Sequence, residues 1–358
     1  MNLLYVLPLL ARSNRLNLVE SGDAPKDFFY GAFGLSNMHK IEYADARGIP
    51  DDIFSRIILE WEIKRNSIIN MGSSKQRVSA IQENLKNNDV IISFTDGMSL
   101  SLGLYAKRHL KNESILIGGF MRLPDMENCV RKPFKKYASN LISQSLKNLD
   151  HVFFFNDHCM NIIQSQYNLP DNKCDVLNFG VDTDFWCPVK KEKSSGILSV
   201  GSDPSRNYSI FKNIKIKDDI TIITSQELKN LKKIKNIKII HGDLYNSEVS
   251  DHELRELYRE AFAVLVPLKD VNQPVGQSVA LQAMATGKPV ILTKIKGHWS
   301  DSLISWKNCI LVPPNDITSI ENAINKLKID QNLYKNICLE GRKTVLKKYN
   351  IKSMNDSI

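Results

Sequence analysis

The stretch PVGQSVALQAMATGKPVILT, Pro274 to Thr293, decides the fold. Gly276 permits a sharp backbone turn. Ser278 to Ala285 holds good helix formers and no breaker, so it predicts a short helix. Gly287 suits the left-handed position after a helix, and Pro289 blocks its continuation. Val290-Ile291-Leu292 is apolar throughout, as in a strand covered on both faces. A glycine turn before a helix aims several backbone N–H groups at one spot, and the helix dipole adds partial positive charge there. The stretch therefore reads as a seat for a phosphate.

Outward from this unit, strand and helix signals alternate. In the second half, Gly196 to Gly201, Asp219 to Thr224, Ile237 to Gly242, Ala263 to Pro267 and Ile310 to Val312 predict strands. Ser250 and Glu253 form a capping box for a helix through Tyr258. Asp316 or Thr318 caps a helix through Leu327, and a last helix runs from about Asn332 to Lys348. In the first half, Leu3 to Leu7, Lys40 to Asp45, Asp89 to Phe94, Ile115 to Gly119 and His151 to Asn156 predict strands. Phe28 to Leu35 reads as a buried helix start or packed turn. Helices are expected over Val78 to Leu85, Ser99 to His109 and much of Arg131 to Asp150. Such alternation implies parallel sheets with helices on both faces, with ligands beyond the carboxyl ends of the strands.

A chain of 358 residues is long for one core, so two domains are expected. The polar run Lys190 to Ser195 is the clearest linker. The divisions are residues 1–188, 189–335 and a C-terminal helix over 336–358 that packs back toward the first domain. A hydrophobic share of 42% is that of a globular protein, and no run reaches the length of a membrane span. Met1 to Leu10 lacks a basic start and a small-residue cleavage site, and reads as a first strand rather than a signal peptide. The six cysteines show no paired spacing, which suggests free thiols in a reducing cytoplasm and no zinc site. The net charge of +9 fits a lysine-rich surface, anionic lipid, a nucleotide ligand or nucleic acid. Nucleic acid is disfavoured, since the basic residues lack interleaved aromatics and no recognition module is present.

Several residues fall at strand ends where a ligand would sit. Gly201 and Ser202 form a turn after a strand, and Arg206 could reach a diphosphate from the side opposite Gly276. In the first half, Asp96, Gly97 and Gly119 hold equivalent places, with a polar turn as the plain alternative for Asp96. His241 and His298 read as structural histidines. Arg131, Lys132, Lys135 and Lys136 decorate a helix that is either a solvated surface element or a basic amphipathic contact with anionic membrane. No hydrolase, metalloprotease or Walker motif is present, and no metal site is visible.

Taken together, Asn178 to Phe185, Leu198 to Gly201 with Arg206, Leu257-Tyr258 before Ala263 to Pro267, and Ala283 to Val290 resemble glycosyltransferase family 4. Order and spacing match over roughly residues 150 to 350; the first half matches only in layout. The resemblance implies a GT-B fold, two doubly wound Rossmann-like α/β domains facing a cleft. It implies a retaining enzyme that moves a hexose from a nucleotide-diphospho-sugar, with UDP the expected nucleotide, to a hydroxyl of a lipid or glycan. Arg206 matches the basic residue that the family places on the diphosphate. His241, Gly242 and Leu244 match the loop against the nucleobase. Gly276, Gln277 and Ser278 match the helix-start amides over the distal phosphate and sugar.

The chain also departs from the family. Two signature glutamates are neutral here: the second is Gln282, and the first falls on Pro274 or Gln273. Ser202 replaces a residue that is usually basic, and Pro8 to Arg15 stands where the family has a glycine-rich loop. An amide at Gln282 can still bond ribose hydroxyls. The expected protein is cytoplasmic or peripheral on the inner face of a membrane, with the nucleotide sugar as co-substrate and no cofactor. The alternative is a non-catalytic nucleotide-sugar-binding protein of the same fold.

Overall fold

The alternation of apolar runs and helical segments builds two parallel sheets. The computed structural model describes residues 1–8, 13–111, 113–189, 194–242 and 247–358. The first domain contains β1 (Asn2–Leu7), α1 (Ser13–Glu20), α2 (Ala32–Leu35), β2 (Lys40–Asp45), α3 (Ile53–Ile69), α4 (Lys75–Ala80), α5 (Gln82–Asn87) and β3 (Val90–Ser93). It continues with α6 (Asp96–Tyr105), β4 (Ile115–Phe120), α7 (Leu123–Asn128), α8 (Lys135–Asn148), β5 (His151–Phe154), α9 (Asp157–Tyr167) and β6 (Cys174–Val176). The second contains β7 (Ile197–Val200), β8 (Ile220–Ile223), β9 (Ile237–Ile240), α10 (Asp251–Glu260), β10 (Ala263–Val266), α11 (Gln277–Ala285) and β11 (Val290–Thr293). It ends with β12 (Ile310–Val312), α12 (Ile317–Ile329), α13 (Gln331–Lys348) and α14 (Ile351–Asn355).

Strand order is β2-β1-β3-β4-β5-β6 in the first sheet and β12-β11-β10-β7-β8-β9 in the second. Winding reverses between β1 and β3 in the first, and between β7 and β10 in the second. These reversals open crevices at the carboxyl ends of the strands. The doubly wound pair of domains expected from the sequence is therefore present.

Local chemistry explains the elements. Ser250 and Glu253 close a full capping box on α10. Gly276, at φ 83°, starts α11, and Gly287, at φ 73°, follows its end. β11 is buried along its whole length. The linker boundary at 190–193 lies outside the described residues.

Three elements differ from the sequence reading. Val78 to Leu85 is not one helix: it splits into α4 and α5 at Ile81, whose backbone leaves the helical region while its side chain stays buried. Helix α6 begins three residues earlier than expected, with Thr95 at its N-cap. Helix α3 was not legible at all. Its apolar residues lie on both faces, with Leu59 and Ile69 inside and Phe54, Ile57 and Trp61 outside, so no clean 3.6-residue period exists.

At the C-terminus, α13 lies on the second domain through Ile337, Gly341 and Val345. The chain then crosses over: Val181 pairs with Asn350, and the Gly180 N–H donates to Met354 Sδ at 3.3 Å. Helix α14 then rests on the first domain, against α2. The largest apolar cluster is continuous between domains, running from Tyr5 and Phe94 through Phe179 and Trp186 to Tyr258 and Met284.

Close packing of α6 on α8 fixes the floor of the first domain. A methyl on Gly103 would lie 2.5 Å from the backbone oxygen of Ser145. Gly103→Ala should lower stability by about 1–3 kcal/mol through overpacking. A urea titration would show a lower midpoint at unchanged slope; an unmoved midpoint would contradict the packing argument.

Candidate active site

The carboxyl ends of the two sheets face each other. Asp125, in α7 just beyond β4, accepts from Asn272 N at 3.1 Å, Asn272 Nδ2 at 2.7 Å and Gln273 N at 2.8 Å. Asn156, just beyond β5, donates to the carbonyls of Asn272 at 3.0 Å and Gly297 at 3.1 Å. Both partners follow strands of the second sheet, β10 and β11. First-domain side chains thus hold the loop that leads into Gly276.

The central residue is Arg206. It follows β7 and is locked by backbone: its N–H donates to the Asp203 carbonyl at 2.9 Å, and it bridges Leu268 beyond β10. The guanidinium crosses the crevice between these strands. A methyl on Gly201 would lie 2.6 Å from Arg206 Nη2, and one on Gly276 would lie 3.1 Å from Nη1. Both glycines lie against the guanidinium, Gly201 the more tightly. Arg206 is 5% exposed, and its Nε and Nη1 are buried without a partner among the described residues. A buried cation with idle donors, at a helix N-terminus, is arranged to receive an anion.

Ser202 links the neighbouring loop to this crevice. Its hydroxyl donates to the Gly242 carbonyl at 2.9 Å and accepts from Ser225 N at 2.8 Å. Gly201, Ser202, Arg206, Gly242 and Gly276 therefore meet in space. His241 is exposed beside them, and its carbonyl accepts from Glu248 N at 3.0 Å. Leu244 lies outside the described residues. Gln277 is buried with its Nε2 unpartnered, and Ser278 is half-buried in the first turn of α11.

Gln282 has a different place from the ribose contact its sequence position suggests. Its Oε1 accepts from Tyr258 OH at 3.2 Å, and its Nε2 donates to Asp27 Oδ2 at 2.8 Å. Asp27, fully buried, also accepts from Asp182 N at 2.6 Å and Trp186 Nε1 at 2.8 Å. Burial pushes its carboxyl up to about 7, against the pull of these donors. Gln282 thus ties the helix of the opening stretch to the first domain.

On the first domain, Asp96 starts α6 and accepts from Arg122 N at 3.0 Å. Loss of water raises its carboxyl above the ordinary range. Gly97 lines a cavity of about 360 Å³ with Pro8, Arg47, Ser73, Arg77 and Thr95. Gly119 does not share it. That glycine lies within β4, packed on Phe94, and its carbonyl accepts from Ser99 Oγ at 3.0 Å. His298 is half-buried, and burial with nearby Lys294 lowers its imidazole.

Arg131, Lys132, Lys135 and Lys136 are exposed. The apolar face of α8, however, is used inside: Ala138, Ile142, Ser145 and Leu146 are buried. This leaves charge but no free apolar face on α8. The exposed apolar surface lies next door on α3, where Ile53, Phe54, Ile57, Trp61 and Ile68 are all more than half exposed. The Arg131 N–H donates to the Ile69 carbonyl at 3.3 Å, so the basic segment begins where α3 ends.

Asp27 and Asp125 were not singled out in the sequence. Asp27 stands beside the aromatic run Phe28-Phe29-Tyr30, a charge at the edge of core residues, which is its one local signal. Asp125 carries none.

Residues 223–344 match the family model described as glycosyl transferases group 1. No curated protein matches the sequence. Among solved structures, the chain is similar to sucrose-phosphate synthase from Thermosynechococcus elongatus, at 13% identity and TM-score 0.72, covering 100% of this chain and 97% of that one. It is similar to HepE of Anabaena, solved in complex with UDP-glucose, at 12% identity and TM-score 0.68, covering 100% and 98%. A glycosyltransferase from Rickettsia africae matches at 16% identity and TM-score 0.64, covering 99% and 96%. At these identities the likeness establishes the fold, GT-B.

Asp27 gives the domain junction a pH signature. Its pKa is about 7 folded against 3.8 for the free group, so the folded state holds the extra proton between those values. Its contribution to stability is full below 3.8 and is lost as pH rises through 7. The stability difference between wild type and Asp27→Asn should therefore grow in favour of wild type as pH falls from 7 to 5. Denaturant titrations across that range measure it, and an opposite slope would refute the assignment.

Proposed function

We propose that this chain, a glycosyltransferase of the GT-B fold, moves a hexose from a nucleotide-diphospho-sugar to an acceptor hydroxyl with retention at the anomeric carbon. One observation carries the reading: the buried, unpartnered guanidinium of Arg206, held between Gly201 and the Gly276 turn that starts α11. In transfer, the bond from the anomeric carbon to the diphosphate breaks and its electron pair stays on the phosphate oxygen. Arg206 and the first amides of α11 stabilise that charge. The acceptor oxygen bonds to the same face of the carbon, and its proton passes to the departing diphosphate. Retention follows the family that the motifs resemble. The UDP-glucose complex of the Anabaena protein makes UDP-sugars the first donors to test.

The acceptor is a lipid or lipid-linked glycan met at an anionic membrane surface. Among the described residues no helix is long and apolar enough to cross a membrane. Helix α3 instead offers a face that lies flat: Phe54, Ile57 and Trp61 point outward, and the Lys64 ammonium sits 5.6 Å from the Trp61 ring. Apolar residues with aromatic and basic flanks suit the headgroup boundary. Arg131, Lys132, Lys135 and Lys136 extend the positive charge beside it.

Two experiments test this. Arg206→Ala should lower transfer from a UDP-sugar by about a hundredfold or more, as for loss of a charge-stabilising donor. Radiolabelled transfer assays would read it, and normal turnover would remove Arg206 from its role. The double variant Phe54→Ser/Trp61→Ser should lose co-sedimentation with phosphatidylglycerol vesicles by more than about tenfold, from the apolar area removed. Undiminished sedimentation would remove α3 from the membrane contact.

A further inference from the structure

Every polar atom of Asn272 is bonded to the first domain. Its N–H donates to Asp125 Oδ2 at 3.1 Å, and its Nδ2 donates to Asp125 Oδ1 at 2.7 Å. Its carbonyl accepts from Asn156 Nδ2 at 3.0 Å and from Cys159 Sγ at 3.2 Å. Its Oδ1 lies 2.9 Å from His158 Nε2, which is therefore the donor on that side. These partners stand on α7 and on the first turn of α9, whose N-cap Asn156 accepts from Cys159 N at 3.0 Å.

Gln273 carries the grip onward. Its N–H donates to the same Asp125 Oδ2 at 2.8 Å, so one carboxylate receives three N–H groups. Its buried side chain donates from Nε2 to Ser205 Oγ at 2.8 Å and, at 3.4 Å, to Asp203 Oδ1. Ser205 N donates to Asp203 Oδ1 at 2.7 Å, and the Asp203 carbonyl takes the Arg206 N–H at 2.9 Å. On the other side, the Val275 N–H donates to the Gln273 carbonyl at 2.8 Å, and Gly276 follows at φ 83°. A first-domain carboxylate is thus linked through Gln273 to both the Arg206 turn and the Gly276 turn.

We propose that Asp125 is a positioning residue for transfer: through Gln273 it sets where Arg206 and the first amides of α11 stand when the two domains meet. This rests on the reading of the Arg206 crevice as the donor site, and it makes that site depend on a side chain of the opposite domain. The effect falls on the transition state more than on donor binding. Charge on the departing diphosphate develops as the bond breaks, and the groups that answer it are the ones Asp125 places. The carboxylate is specifically required. Asparagine at 125 would set an amide N–H against Asn272 Nδ2 or the two backbone N–H groups. Aspartate at 272 would set like charge against Asp125. Made together, the two changes restore every bond. The new amide oxygen accepts the backbone N–H groups, its nitrogen donates to the new carboxylate, and that carboxylate accepts from His158 Nε2.

The variants Asp125→Asn, Asn272→Asp and the exchanged pair, made in the full chain, test this. The donor probe is UDP-glucose, and the readout is steady-state release of UDP with water or diacylglycerol vesicles as acceptor. Asp125→Asn should lower kcat by about tenfold to a hundredfold, as for a small misplacement of catalytic groups, while KM moves less than about threefold. Asn272→Asp should lose kcat similarly, and the exchanged pair should recover most of it, against simple addition of two losses. Amide hydrogen exchange on the same proteins needs no donor. Asp125→Asn should speed exchange over residues 201–207, where the Arg206 and Asn207 amides are bonded to the Asp203 and Pro267 carbonyls, and the exchanged pair should slow it again. Normal kcat in Asp125→Asn, even with a lowered melting temperature, would mark a purely structural contact and overturn the role. A loss confined to KM, no recovery in the exchanged pair, or unmoved exchange over residues 201–207 would also overturn it. If wild type releases no UDP from UDP-glucose, the donor reading is at fault, and the exchange rates still decide whether Asp125 fixes the Arg206 turn.

Discussion

A buried guanidinium with no counter-charge bonded to it among the described residues is the constraint on which the second domain turns. Removing a guanidinium from water costs several kcal/mol unless hydrogen bonds and an opposite charge replace the water. Arg206 is 5% exposed, yet two of its nitrogens find no acceptor among the described residues. Its backbone is fixed through Asp203 and Leu268. Gly201 lies hard against the guanidinium, and Gly201 and Gly276 both hold a positive φ that favours glycine. The same turn at Gly276 that makes room for Arg206 starts α11. Cation and helix amides are therefore aimed together by one local conformation.

The domains are joined by polar contacts set among apolar ones. Asp27 gathers hydrogen bonds from Trp186, Asp182 and Gln282, while Asp125 grips Asn272 and Gln273. Both carboxylates come from the first domain and both act on segments flanking Gly276. The amide at Gln282 has a local reason. Gln282 faces a buried aspartate, where a second carboxylate would meet like charge in a dry setting. The amide gives a donor to Asp27 and an acceptor to Tyr258 at once.

The two crevices differ in how they are built. The second domain presents a narrow, buried cation; the first presents an open cavity with two arginines on its lining. The first domain also leaves an apolar helix face uncovered, which the second does not match.

Much of this was legible in the residues. Periodicity and punctuation place nearly every strand, the capping of α10 and α11, and the doubly wound class, because those depend on contacts within a few residues. Spacing also brings Gly201, Arg206, Gly242 and Gly276 to one crevice, since each follows a parallel strand of the same sheet. Helix α3 escaped because a helix apolar on two faces has no readable period. Packing on α6 consumes the apolar face of α8, and the exposed apolar side chains lie instead on neighbouring α3. The sequence by itself determined most of the elements, their winding and the Gly276 turn that starts α11. Only the tertiary structure decided that Gln282 answers Asp27, that Asp125 holds the loop before Gly276, and that Arg47 and Arg77 line one cavity. Those pairings join residues from distant parts of the chain, and a one-dimensional pattern carries no term for contacts at that separation.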